Sequence, residues 1–363
     1  MSDKNSLLVM SEDLHVFIDT ALRVAGLPLR DSAAIASLMV QADQQGSDGH
    51  GVIRLVQYIK RIHAGGINKT PNIRTVAERP AMAIVDGDNG MGHLVATAAT
   101  ELAIRKARET GIAWVGTRMS NHAGPASLYA RMAVDQGMIA MYFAVGNANH
   151  MPPWGGTDML LSTNPIAVAI PSRSEPDIVL DMASTATAYG KVKARAKRGE
   201  LMPEGWMMDR HGRPLLDPNK SDEGFLLPIG GHKGYGLALV IGILAGTLNG
   251  AAMGKDVIDF NKDSVTPTNT GQSILVLDVS GFADTQAFSS AIDTLIQDLR
   301  NSARLPNVKR IWMPGEQSSI KRQRYQVEGI PVSTGVLHDL DALADQLAID
   351  RVKTVDAATE NAA

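Results

Sequence analysis

The chain has 363 residues, 44% of them hydrophobic and 20% charged, and 35 Lys plus Arg against 38 Asp plus Glu give a formal net charge of −3. Such a composition excludes the disordered and fibrous classes, and its mild acidity offers no electrostatic footprint for nucleic acid. With no cysteine in the chain, a disulfide framework, a thiolate metal site and a catalytic thiol are all excluded.

The chain opens without a basic stretch leading into an apolar one, so no secretory signal is read in MSDKNSLLVM. Helical spacing of Leu14, Phe17, Ile18, Ala21, Leu22 and Ala25 predicts a first helix, with Ser11 as its cap and Gly26 closing it. Asp31 is placed as the cap of a second helix that buries Ile35, Leu38, Met39 and Ala42. A third helix is expected from His50 to Ala64, with Val52, Leu55, Val56 and Ile59 on its buried side. From Ala81 short apolar strands alternate with helices. Strands are expected at Ala83 to Asp86, Ile112 to Val115, Met138 to Val145, Ile166 to Ile170 and Ile178 to Asp181, with helices at Leu94 to Arg108 and Ala126 to Asp135. The basic run Lys191 to Arg198 reads as a solvated face. Leu237 to Leu248 is too short to span a membrane core of ~30 Å and reads as a buried helix, so a cytoplasmic protein with no membrane partner is expected. A polar, loop-like stretch at 256 to 270 precedes a strand at Ser273 to Val279 and a helix at Thr285 to Arg300. Two more helices, Glu316 to Val327 and His338 to Leu347, lead to a frayed end.

Chemistry concentrates in a few places. His50, Arg54 and Tyr58 are spaced i, i+4, i+8, which puts an acid/base, a guanidinium and a phenol on one helix stripe. That trio suits an anionic ligand with a carbonyl group, because Arg grips a carboxylate with two parallel bonds and His exchanges protons near neutrality; an ordinary solvated face has the same spacing. His122 follows a strand, where functional loops gather, although a lone histidine is also a common structural residue. The nine histidines form neither HxH nor HExxH, so no metal site is expected. No GxGxxG is found. The segment 87 to 92 (GDNGMG) has the wrong glycine order for a dinucleotide fingerprint and is assigned a turn. In 231 to 236 (GHKGYG), His232 and Lys233 stand before an apolar helix, where backbone N–H groups and a cation can hold a phosphate. Asp181 ends a strand and can orient a histidine, hold a ribose hydroxyl or cap a helix.

Taken together, ADQQGSDGHGVIRLVQYI (42 to 59), MSNHAG (119 to 124), MPPWGG (151 to 156), STNPIAVAIPS (162 to 172), VLDMA (179 to 183), LPIGGHKGYGLAL (227 to 239) and MPGE (313 to 316) resemble the malate/L-lactate dehydrogenase family that is distinct from the Rossmann-type enzymes. The resemblance implies an α+β fold. A helical domain built from both chain ends (1 to 80 with 301 to 350) would carry the His/Arg helix. A mixed-sheet, non-Rossmann NAD(P)-binding domain would span 81 to 300, and a flexible tail 351 to 363. It implies a homodimer and a small carboxylate substrate, a 2-oxo acid interconverted with its 2-hydroxy acid using NAD or NADP, with NAD favoured. By matching position, His50, His122 and Asp181 are catalytic, and Arg54, Tyr58 and Asn121 bind substrate. Asp181, Met182, Ala183, His232, Lys233, Gly315 and Glu316 hold the cofactor. In the oxo-acid direction a protonated His50 would act as the acid, with Asp181 or His122 setting its tautomer. Many relatives carry Ser before the catalytic His, where this chain has Gly49, which bears on substrate identity. Reduction of a cyclic imine carboxylate, a cofactor-free hydrolase or lyase, and a non-catalytic carboxylate binder are the alternatives.

Overall fold

The computed structural model describes residues 6 to 355. Strand β1 (Ser6–Val9) leads into helices α1 (Ser11–Val24), α2 (Leu29–Gln44) and α3 (Leu55–His63). Next come β2 (Arg74–Arg79), β3 (Met82–Asp86), α4 (Gly92–Thr110), β4 (Ile112–Ser120) and α5 (Ser127–Val134). Strands β5 (Met138–Ala144), β6 (Ile166–Ile170) and β7 (Ile178–Met182) precede α6 (Tyr189–Arg198), β8 (Met207–Asp209) and β9 (Gly224–Leu226). After α7 (His232–Ala245), β10 (Thr270–Asp278) and α8 (Thr285–Asn301), the described chain ends with α9 (Glu316–Glu328), β11 (Ile330–Ser333) and α10 (Thr334–Leu347).

The expected mixed sheet is present, with strand order β2-β3-β4-β10-β5-β6-β7. Its β3–β4 pair is parallel and is joined by α4, since parallel neighbours need a crossover; the other neighbours are antiparallel. Alternation along the strands sends Ala113, Val115, Ala140, Tyr142, Ala167, Ala169, Ile274 and Val276 to the core beneath α4 and α5. The intervening Trp114, Met141, Phe143 and Ile166 pack against Leu237, Ile241 and Ala245 of α7 on the other face. Apolar on every side, α7 was expected to be buried. Beyond the sheet only part of its surface meets Met151, Leu161 and Met253, so Val240 and Ile243 remain 52% and 45% exposed.

A second core joins the two ends of the chain. Leu14, Phe17, Ile18 and Leu22 of α1, Ile35 and Met39 of α2, and Leu55, Tyr58 and Ile59 of α3 pack with Leu337, Leu340 and Leu343 of α10. Strand β1 pairs antiparallel with β11, from Ser6↔Ser333 to Val9↔Ile330. Of the segment 351 to 363, Val352 is buried in this core and Val355 N–H donates to Leu8 O at 2.8 Å; residues 356 to 363 lie outside the described residues. Gly26 (φ +105°) follows α1 as expected. Met10 and Pro28 occupy the caps of α1 and α2, so Ser11 is the first helical residue and Asp31 lies inside a first turn.

Candidate active site

The helix expected from His50 begins later. Residues Val52–Arg54 form a 3₁₀ turn, and α3 starts at Leu55. Asp43, buried near the end of α2, causes the offset: its Oδ2 accepts the Val52 N–H at 2.8 Å. Gly51 permits this approach, because a Cβ there would stand 1.9 Å from Asp43 Oδ1. Burial pushes the Asp43 carboxyl well above the usual carboxylate range, against the pull of the Val52 N–H. Val52, Leu55 and Ile59 are buried as expected, while Val56 faces solvent.

His122 arrives from the opposite direction, at the end of β4. There Met119 takes a left-handed conformation (φ +49°), a strained geometry for a side chain of this kind. Its N–H is held by Asn269 Oδ1 at 2.8 Å. The 87 to 92 segment forms the turn beneath this loop, and a Cβ at Gly92 would meet Asn121 O at 2.1 Å. Asn121 itself turns inward. Fully buried, it donates from Nδ2 to Asn89 Oδ1 (3.0 Å) and Gly90 O (2.9 Å) and accepts from Thr268 Oγ1 (3.0 Å). Its amide, expected at the substrate, is engaged by these protein partners and supports the loop.

The two segments meet in a chain of polar atoms. His50 Nδ1 lies 3.2 Å from His122 Nε2, and Tyr58 Oη lies 2.5 Å from His122 Nδ1. The imidazoles stack with centroids 5.3 Å apart, and Phe260 closes on both Tyr58 and His122. Tyr58 is buried, whereas His50, Arg54 and His122 are half-buried. Burial, with the Arg54 charge added, pushes His50 down to about 4, and the same causes hold His122 well below the ordinary histidine value. Burial raises the Tyr58 phenol above its usual value, so it stays protonated. The free site therefore holds His50 neutral, and an imidazolium acid is not its resting state.

The polar stretch after α7 packs against these groups. Phe260 O accepts from Gln57 Nε2 at 2.7 Å, and Arg54 donates from Nε to Gly49 O at 2.7 Å and from Nη1 to Asn261 Oδ1 at 3.2 Å. Arg61, fully buried, donates to the carbonyls of Asp263, Gly66 and Thr266 and lies over the Phe260 ring.

A second group of expected residues assembles around the end of β7. Asp181 is solvent-accessible, but protein surrounds its carboxyl closely enough that desolvation raises its pKa. Segment 227 to 229 pairs alongside 184 to 186, through Ala186 N–H to Leu227 O (2.7 Å) and Ile229 N–H to Ser184 O (3.0 Å), and leads into the exposed His232 and Lys233. On the other side, Val179 N–H donates to Pro314 O at 3.0 Å, and Gly315 (φ +85°) lies against Val179 where a Cβ would come within 2.7 Å of Val179 Cβ. An accessible carboxylate, a cation and the free N–H groups at the start of α7 fit the ribose hydroxyls and phosphates of a dinucleotide.

A model of the malate/L-lactate dehydrogenase family matches residues 9 to 341. The chain belongs to that family. It is 36% identical to a malate dehydrogenase of Pyrococcus horikoshii over 359 residues, covering 96% of this chain and 98% of the relative. A ureidoglycolate dehydrogenase (NAD(+)) of Escherichia coli K12 is 32% identical, with 89% and 92% covered. The solved structure of malate dehydrogenase from Pyrococcus horikoshii OT3 superimposes with a TM-score of 0.89 at 33% identity, over 97% of this chain and 98% of that one. As a member of this family the chain is an oxidoreductase acting on hydroxy acids.

In this dehydrogenase two expected residues have other duties. Glu316 is 2% exposed, and its carboxylate is taken up by Arg300, Arg310 and the Met313 N–H, so it braces the 313 to 316 turn. Asp181 accepts the Ser127 N–H at 2.9 Å rather than a histidine, which leaves His122 as the neighbour of His50. Sequence reasoning missed Asp43, Arg61, Phe260, Asn261 and His93. His93 is fully buried, its ring edge-on to Tyr58 and both nitrogens without a partner among the described residues. Burial pushes it down to about 3. The GHGVIRLVQY context could have suggested Asp43 as a cap; nothing in the sequence pointed to the others.

Proposed function

We propose that this dehydrogenase interconverts a small 2-hydroxy acid and its 2-oxo acid with a nicotinamide coenzyme, NAD favoured, at the His50–His122–Tyr58 chain. The observation that carries this reading is a half-buried guanidinium, Arg54, beside a neutral imidazole whose Nδ1 is already engaged. Arg54 would hold the substrate carboxylate, leaving Nε2 of His50 for the hydroxyl. Asp181, Met182, Ala183, His232, Lys233 and Gly315 would hold the coenzyme, which supplies the hydride acceptor or donor. The NAD(+) in the name of the Escherichia coli relative supports the preference.

In the oxidation direction the neutral His50 accepts the hydroxyl proton at Nε2. Its Nδ1–H then donates to His122 Nε2, and His122 Nδ1–H to the Tyr58 oxygen. In the reverse assignment the phenol donates to His122 and each donor along the chain turns round. Reduction requires a protonated His50, and a bound carboxylate would favour it by cancelling the Arg54 charge that helps hold the imidazole down. The two cores support the division into a helical domain from both chain ends and an α+β domain. The exposed Val240, Ile243 and Leu248 support the homodimer, and a cytoplasmic location remains the reading of the sequence.

The test is turnover of a panel of 2-oxo acids and cyclic imines with NADH and NADPH, followed by coenzyme fluorescence. A His50→Ala variant should lose about 10²- to 10⁴-fold in turnover with coenzyme affinity retained. Failure of the native chain to bind either coenzyme would overturn the reading.

A further inference from the structure

The two bonds that hold Arg54 run to oxygens without a full charge, the Gly49 carbonyl and the Asn261 amide. This matters because the loop supplying Asn261 is acidic. Asp259 and Asp263 flank it, yet neither neutralises Arg54. Asp259 Oδ1 accepts the Asn261 N–H at 3.0 Å, and its Oδ2 lies 3.8 Å from Lys262 Nζ. Asp263 Oδ1 accepts the N–H groups of Val265 and Thr266 at 2.9 and 2.8 Å. Both carboxylates are folded back into turns of their own loop, and among the described residues Arg54 has no carboxylate partner. The loop is also pinned, by Arg61 on the carbonyls of Asp263 and Thr266 and by Gln57 on that of Phe260. Asn261 is therefore held beside Arg54 by more than its own contact.

We propose that Asn261 is a positioning residue that sets specificity for anionic substrates: it aims the Arg54 guanidinium with a neutral acceptor and leaves its charge uncompensated. The proposal rests on the reading of Arg54 as the carboxylate anchor. An aspartate at 261 would keep the hydrogen bond but add a resident competitor for the substrate's carboxylate. A leucine would remove the bond without adding charge.

The test compares Asn261→Asp with Asn261→Leu, both close to asparagine in size. For the 2-oxo acid, Asn261→Asp should raise KM roughly ten- to a hundredfold, with kcat changed by less than about threefold. The dissociation constant of oxamate, a carboxylate analogue measured by calorimetry with coenzyme bound, should rise in parallel. Asn261→Leu should raise both by only about two- to fivefold, and an amide analogue of the oxo acid should not distinguish Asp from Leu. If Asn261 merely held the loop, the order would reverse, since Asp retains the acceptor and Leu does not. Leu worse than Asp, or equal losses for oxamate and the amide, would overturn the proposal. Absence of oxo-acid turnover by the native chain, with oxamate still bound and the variant order as stated, would refute the reaction and keep the role of Asn261. Absence of oxamate binding by the native chain would overturn both.

Discussion

Replacing Tyr58 with Phe removes one oxygen from the end of the His50–His122–Tyr58 chain and leaves the packing intact. The ring would still meet His93 edge-on and Phe260 at 5.8 Å. What is lost is the partner of His122 Nδ1 at 2.5 Å; the Gly124 N–H, 3.4 Å away, is itself a donor and cannot receive the Nδ1 proton. A buried nitrogen left without its partner costs about 1–3 kcal/mol. Expressed wholly in the transition state, that is a loss of roughly fivefold to 150-fold in kcat; expressed wholly in the ground state, it appears as lost stability. The proposed proton chain predicts the first, because His122 Nε2 lies 3.2 Å from His50 Nδ1. Initial rates with a 2-oxo acid and reduced coenzyme, alongside urea unfolding of the same preparation, separate the two. KM should change little, because Arg54 is untouched. An unchanged kcat together with a destabilised fold would show that the phenol is only structural, and the proton chain would have to be abandoned.

Arg54→Lys keeps the charge and removes the planar fork, and should cost about ten- to a hundredfold in kcat/KM for the acid, with an ester analogue much less affected. Gly51→Ala drives a methyl group into Asp43 Oδ1 and should destabilise the chain by about 1–3 kcal/mol while displacing His50; a thermal scan showing native stability would contradict the cap at Val52. A side chain at Gly49 would enter open space, with nothing within 4 Å of its first carbon, so Gly49→Ser should change stability by less than about 0.5 kcal/mol yet reorder the preference among 2-oxo acids in a kcat/KM panel. For pH, His93 titrates near 3 in the folded chain against 6.5 for an ordinary histidine; the unfolded state binds its proton first, so native stability is lost as pH falls below about 6.5. His93→Phe removes that loss, and its stability advantage over the native chain should grow by about 2–3 kcal/mol between pH 7 and 4.5. A constant difference across that range would refute the burial of an uncharged His93. Comparing the two proteins at each pH cancels Asp43, whose raised pKa acts in the opposite direction.

The central strands were legible because period-two alternation is written into them. Met138–Ala144 and Ile166–Ile170 send alternate residues to different cores, and the sequence places them to within a residue. Strands β1, β2, β8, β9 and β11 were not read, and β2 could not be, since all six of its residues face solvent and carry no burial pattern. In the site, the spacing of Arg54 and Tyr58 was informative even though His50 sits on a bend. The offset depends on a contact between Asp43 and Val52 that spacing cannot express. Asn121 and Glu316 stand in motifs that suggest ligands, and their true partners, Thr268 for one and Arg300 for the other, come from distant parts of the chain. His93 was invisible for a simpler reason: one histidine near the start of an alanine-rich helix has no signature until Tyr58 is seen against its edge.

The pairing of β1 with β11 has a consequence for the order of events in the cell. The α1–α3 segment that carries Arg54 and Tyr58 is made early, but the strand and helix that complete its core, Ile330–Ser333 and Thr334–Leu347, are made late. A nascent chain can close the β3-α4-β4 crossover from neighbouring residues while its first helices still lack their partner. Such long-range closure is slow and exposes apolar surface in the interval. The core under Arg54 and Tyr58 therefore lacks the side chains of β11 and α10 until the last part of the chain has been made.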